Sequence, residues 1–165
     1  IVQGTDAHDG DEEDSISEAL GAETVPNGDS VFDFLPLEIN GRLVWIQHQG
    51  APAGRGITEG NALHNYMRNI YFTCLEDKRR LPDVIISGHY HRNVYDTFTR
   101  KEHTIHGIIV PPWQLKTRFG YRVAAAELDN IGLRVVDISS PVNGKGAIDV
   151  NEPILLQSRE EVVRI

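Results

Sequence analysis

The chain has 165 residues, 40% hydrophobic and 24% charged, which suits one soluble globular domain with a real core. Its formal net charge of −8 argues against a general nucleic-acid coat protein, while leaving room for a local basic patch or a phosphate held through metal ions. Cys74 is the only cysteine, so there is no intrachain disulfide and no cysteine-based metal site, and no apolar run approaches the length of a membrane span.

Ile1-Val2-Gln3 reads as the end of a strand, with Gly4-Thr5-Asp6-Ala7-His8 as the loop leaving it. There is no initiator Met, so the expectation is either a processed or cloned fragment or a chain whose preceding residues are missing. The acidic run over 9–14 is a solvated loop; it lacks the distal Glu of a calcium loop. Ser15 and Glu18 have the spacing of a capping box, which predicts a short helix running to about Leu20 and stopped by Gly21. Residues 31–39 carry Pro36, so they are predicted as an edge or bulged strand. Asn40-Gly41 is the strongest short hairpin signal, and Arg42–Gln47 is the return strand, ending at His48. A Gly- and Pro-rich loop over 50–60 follows, with Thr58 placed to cap a helix over 61–80. Leu63, Met67, Ile70, Tyr71 and Cys74 form one apolar face of that helix. His64 is a helix-surface histidine, and Lys78-Arg79-Arg80 complements the helix macrodipole near its end.

Val84-Ile85-Ile86-Ser87 is a buried strand, followed by Gly88-His89-Tyr90-His91. If the backbone stays extended past Gly88, His89 and His91 project to the same side. Strands follow over 93–98, 103–110, 121–128 and 133–139. His103 and His106 lie three apart on one strand, face opposite sides, and are structural. Asn143 to Gly146 is a turn, and the tail from Pro153 is a last strand and a helical end. With no repeat or linker, residues 1–165 read as a single α/β domain with helices outside the sheet.

His8, His48, and His89 with His91 all sit where loops leave strands. In an α/β sheet the carboxyl ends of strands gather at one rim, so histidines distant in sequence converge there. Neutral imidazole suits zinc, manganese and iron. The chain supplies no obvious set of inward carboxylates beside them, although Asp6 is close to His8.

His48 after an apolar strand, then a helix, then Gly88-His89-Tyr90-His91, resembles the calcineurin-like metallophosphoesterases. The loop ending at His8 looks like a variant of that family's third motif. Pro112-Trp113-Gln114-Leu115-Lys116-Thr117 and Phe119-Gly120-Tyr121 are similar to phage and prophage members. The resemblance implies the carboxyl-terminal half of a β-sandwich flanked by helices, incomplete because the opening motifs of the family (Asp-x-His and Gly-Asp-x-x-Asp) are absent. It implies two divalent transition metal ions (Mn, Fe, Zn or Ni) in the intact site, clamping a phosphate and generating a hydroxide nucleophile. His48 and His89 would be ligands of one metal, His91 of the other, and His8 the proton donor to the leaving oxygen; Arg55, in the glycine-rich loop after His48, is either a solvated loop arginine or a phosphate contact. The implied activity is phosphodiester or phosphomonoester hydrolysis, on a phosphorylated small molecule or nucleic acid, with this fragment weak or inactive alone. The alternative is a non-catalytic scaffold of the same fold that binds a partner protein; the missing carboxylates favour it and the retained histidines oppose it. The expected partners are a second copy of the chain, as a homo-oligomer, or a missing amino-terminal segment that would supply the other half of the site. A cytoplasmic, membrane-free location is expected. A metallo-β-lactamase-type site is excluded, because His91 is followed by Arg92-Asn93-Val94 and not by the Asp-His which that chemistry uses.

Overall fold

The computed structural model describes residues 2, 13–24, 28–54, 56–112, 130–140 and 144–157. A short helix, α1, spans Glu13–Ala19, and two strands, β1 (Phe34–Ile39) and β2 (Arg42–Gln47), form a hairpin. Asn40 and Gly41 take φ of 49° and 76°, the two positive values that a tight two-residue hairpin turn demands. Pro36 lies on β1, at the sheet edge, where its missing N–H costs no ladder bond.

Helix α2 (Asn61–Glu76) leads to β3 (Val84–Ser87), and β4 (Val94–Arg100) and β5 (His103–Ile109) follow as a hairpin. The five strands form one mixed sheet in the order β1-β2-β3-β5-β4. The three central strands are parallel, and the two outer strands run antiparallel to them. Beyond these lie β6 (Asn130–Leu133), β7 (Val136–Ile138), β8 (Ile148–Val150) and β9 (Ile154–Gln157), paired as β6 with β9 and β7 with β8. No helix among the described residues is long and apolar enough to cross a membrane.

The two faces of the sheet are covered differently. Leu63, Met67, Tyr71 and Cys74 of α2 are buried against Trp45, Ile85, Phe98, Ile105 and Ile109. Each such side chain contributes about 1.5–3 kcal/mol when fully buried. Val44, Val84 and Ile108 point the other way and are covered by Val136, Ile138, Ile148 and Val150 of the β7–β8 hairpin. This gives an α/β architecture with a sandwich-like second layer.

Local capping differs from the sequence expectations. Ser15 lies inside α1 rather than at its cap, and its expected box with Glu18 does not form the helix start. Gly21, with φ of 62°, does end that helix. Gly60, not Thr58, is the N-cap of α2; Thr58 closes a single 3-10 turn at Gly56–Thr58. The helix stops at Glu76, short of the expected 80. Lys78 takes φ of 54°, and the Arg79 and Lys78 N–H groups donate to Cys74 O (2.8 Å) and Leu75 O (3.2 Å). That is a Schellman ending with lysine where glycine is usual. Arg79 and Arg80 therefore lie beyond the helix, Arg79 pairing with Asp77 and Arg80 with Glu38. The expected strand over 133–139 is broken at Arg134 and Val135. The expected strand over 121–128, the helical end of the tail and most of the acidic run lie outside the described residues.

Asp83, just before β3, is fully buried. It accepts from the Leu43 N–H (2.9 Å) and from Arg42 Nη1 (2.8 Å), and its own N–H donates to Leu43 O (2.8 Å). Burial pushes its pKa up, but the Leu43 N–H, Arg42 and Lys145 more than offset this and hold it below the usual aspartate range. A carboxyl with a depressed folded-state pKa adds stability that is complete above its unfolded value of about 3.9 and is lost as pH falls through the folded value. In urea unfolding below about pH 4, Asp83→Asn is expected to lose stability less steeply than the wild type. Parallel acid slopes would contradict this account.

Gly107 of β5 lies under α2. A methyl group there would stand 2.6 Å from Met67 Sδ and 3.1 Å from Leu63 Cγ, both residues being fully buried. Gly107→Ala is expected to destabilise by about 1–3 kcal/mol through overpacking, read as a lower urea midpoint at unchanged slope.

Candidate metal centre

The pairing of β2 with β3 sets the site. Gln47 and Ser87 are partners in a parallel ladder, and both are the last residues of their strands. His48 and Gly88 therefore leave the sheet side by side. The Gly88 N–H donates to His48 O at 2.9 Å. The His48 ring lies over Gly88, whose Cα would tolerate a methyl at ordinary contact distances of 3.4–3.7 Å from His48.

The backbone does not stay extended after Gly88. His89 takes φ of 69° and His91 φ of 51°. The Tyr90 N–H donates to Gly88 O at 2.8 Å, closing a γ-turn around His89 of the rarer, positive-φ kind. The expectation that His89 and His91 share a side through strand alternation therefore fails. The turn instead carries His89 to His48: His48 Nε2 and His89 Nδ1 are 3.0 Å apart, and the rings meet edge to face with centroids 5.0 Å apart. Both histidines are half-buried, whereas His91 is exposed.

The donor set fits a metal in part. Imidazole nitrogens bound about 2.0–2.1 Å from a tetrahedral ion would stand about 3.3 Å apart, a few tenths beyond the 3.0 Å hydrogen-bond contact seen here. A shift of that size makes the pair compatible with two ligands of one ion. Among the described residues, however, no three of His, Cys, Asp or Glu come together, so His91 does not join the pair and no second centre is assembled. His8 and Arg55, the expected proton donor and phosphate contact, lie outside the described residues, as do Asp6 and 113–121, which carry the phage-like resemblance.

The remaining histidines are accounted for structurally. His64 is exposed on α2, with Nδ1 2.9 Å from Asp96 Oδ2 and its ring against Phe98. His103 Nε2 lies 2.9 Å from Pro82 O, and His106 Nδ1 lies 2.9 Å from the Tyr95 hydroxyl on the opposite face. Burial pushes the His106 pKa down, helped by Arg42 and opposed by Asp83.

Beneath the histidine pair lies a polar network that the sequence reading missed. Gln47 Nε2 donates to the Tyr66 hydroxyl (2.9 Å) and to Ser87 Oγ (3.2 Å). The signal available was positional: a polar residue closes each of two strands whose interiors are apolar. A cleft of about 480 Å³ opens on the same rim, between the start of α2 and the start of β4, and Glu59, Asn61, Asn93 and Asp96 give it a polar lining.

No protein-family model matches the chain, and no curated protein matches it. Among solved structures it is similar to an archaeal phosphodiesterase, with 17% identity over 76% of this chain and 52% of that chain and a TM-score of 0.36. It is similar also to a single mutant of Vps29 from Entamoeba histolytica, with 14% identity over 78% of this chain and 63% of that chain and a TM-score of 0.39. The chain thus spans between about half and two thirds of the length of these proteins.

Proposed function

We propose that this chain is the carboxyl-terminal part of a metal-dependent phosphoesterase, in which His48 Nε2 and His89 Nδ1 hold one divalent transition metal ion. The observation that carries this reading is the 3.0 Å approach of two imidazole nitrogens 41 residues apart in sequence, at the carboxyl rim of a parallel sheet. A divalent metal held there would polarise a phosphoryl oxygen and acidify a water molecule. The chain's own residues bind and orient: His48 is fixed by β2 and by the Gly88 N–H, and His89 by its γ-turn. His91 is assigned to a second metal, His8 to protonation of the leaving oxygen, and Arg55 to the phosphate. The remaining ligands are assigned to the family's opening motifs, supplied outside this chain.

A second reading, a partner-binding scaffold of the same fold, is favoured by one observation. Among the described residues only a pair of ligands converges, and a zinc site uses three or four.

One experiment separates the two. Manganese and zinc content after dialysis, and hydrolysis of bis(p-nitrophenyl) phosphate, are measured on this chain and on the full reading frame. The full protein is expected to retain metal and to hydrolyse the diester. His48→Ala and His89→Ala should each lose metal and at least about 100-fold in activity, while the exposed His64→Ala retains both. A full protein that holds no metal, or an active one indifferent to His89→Ala, would sink the enzyme reading in favour of the scaffold.

A further inference from the structure

We propose that Tyr66, Gln47 and Ser87 are positioning residues that hold His48 and His89 at ligand distance; this rests on the reading of that pair as a metal site. Gln47 is 9% exposed and Ser87 0%. An amide and a hydroxyl so deep in the molecule cost free energy unless they are hydrogen-bonded, and two apolar side chains would fill the same space without that demand.

Here the hydrogen bonds link three separate elements. Gln47 Nε2, at the end of β2, donates to Ser87 Oγ at the end of β3 (3.2 Å) and to the Tyr66 hydroxyl on α2 (2.9 Å). The Tyr66 hydroxyl lies 3.3 Å from Gln47 Oε1, within donating distance. A hydrogen bond fixes direction as well as distance, which an apolar contact does not.

The location of the network matters as much as its chemistry. His48 follows Gln47 directly, and His89 follows Ser87 by two residues. The turn after His48 then folds back over the network. A methyl group at Gly50 would overlap Ser87 Oγ and come within 2.5 Å of Gln47 Nε2. The segment bearing His48 is thus bonded on one side, through Gln47, and seated at Gly50 on Gln47 and Ser87. Ligand nitrogens tolerate displacements of only about 0.5 Å before a site loosens. A network tying both strand ends to the helix is suited to hold that tolerance, and none of its three members is itself assigned as a ligand.

The test uses the full reading frame with cobalt(II) as the probe. Cobalt affinity and the visible absorption of the bound ion are measured beside urea stability. Tyr66→Phe keeps the ring and removes the hydroxyl. Gln47→Met keeps the volume and removes the amide. Each is expected to weaken cobalt binding by about 10-fold and to change the intensity of the visible band. The double variant is expected to fall short of the product of the two single losses, because the residues act as one unit. A loss of affinity at near wild-type stability supports the proposal. Unchanged affinity and spectrum in both single variants, with binding abolished in His48→Ala, overturns the proposal and leaves the metal reading standing. Affinity that falls only in step with stability overturns it in favour of a purely structural network. A wild-type protein that binds no cobalt overturns both readings together.

Discussion

The structure depends first on the register of β2 against β3. These two strands are parallel, and Gln47 stands opposite Ser87 at their shared end. A slip of one residue would displace one chain by about 3.3 Å and turn every side chain to the other face. Gln47 and Ser87 would no longer meet beneath α2, and His48 and His89 would no longer face each other. The register is pinned at the far end of the same strands. Asp83 enters β3 and binds the Leu43 N–H and Arg42, both of β2. Because β3 has only four residues, an anchor at one end leaves little play at the other. A buried ion pair distant from the histidines thus helps to set the distance between them. Buried pairs of this kind are poor sources of net stability, so a role in fixing register is the better reason for Asp83 to be charged.

The second layer is attached at that same end. Arg42 Nε donates to Gly146 O at 2.6 Å, Asn40 Nδ2 to Ile138 O at 2.7 Å, and Lys145 stands 3.5 Å from Asp83. The β1–β2 turn and the loop of the β7–β8 hairpin are therefore interlocked through polar contacts, while the hairpin's apolar side chains cover Val44, Val84 and Ile108. On the other face α2 packs directly, allowed in by Gly107. The sheet is thus clamped at its amino end and sealed on both faces. Its carboxyl rim, where His48 and His89 leave, is where the chain departs from regular structure.

Much of this was legible in the sequence. Asn40-Gly41 announced a hairpin because few residue pairs take positive φ twice in succession. The α2 face was readable because its buried residues fall at helical spacing, and His48 and His89 stood out as histidines at the ends of apolar strands. Other features were hidden for physical reasons. The end of α2 carries no glycine, so Lys78 in a left-handed conformation gave no stop signal. Nothing in the sequence marked Asp83, because apolar patterning does not register a charge buried with its partners. Gln47 and Ser87 left only a positional trace, each a polar residue closing a strand. The His89 and His91 conformations contradicted strand alternation, which holds only while the backbone remains extended.

That last departure has its own energetic logic. A non-glycine residue at positive φ costs about 1–3 kcal/mol, and His89 and His91 both take such values within three residues. Continued extension past Gly88 would have avoided that cost and placed the two rings on one side as a pair. Strain of this kind persists only where the surroundings over-determine it. Tyr90, between the two histidines, packs its ring against the core beneath α2 and against the His89 ring at a centroid distance of 5.1 Å. Burying that aromatic surface offsets part of the strain and holds the γ-turn closed. The result is a division of labour that an extended strand cannot produce. His89 is folded back onto His48, while His91 is turned outward on the same short loop. A single half-buried tyrosine thus stands between two histidines that sequence spacing alone would have joined.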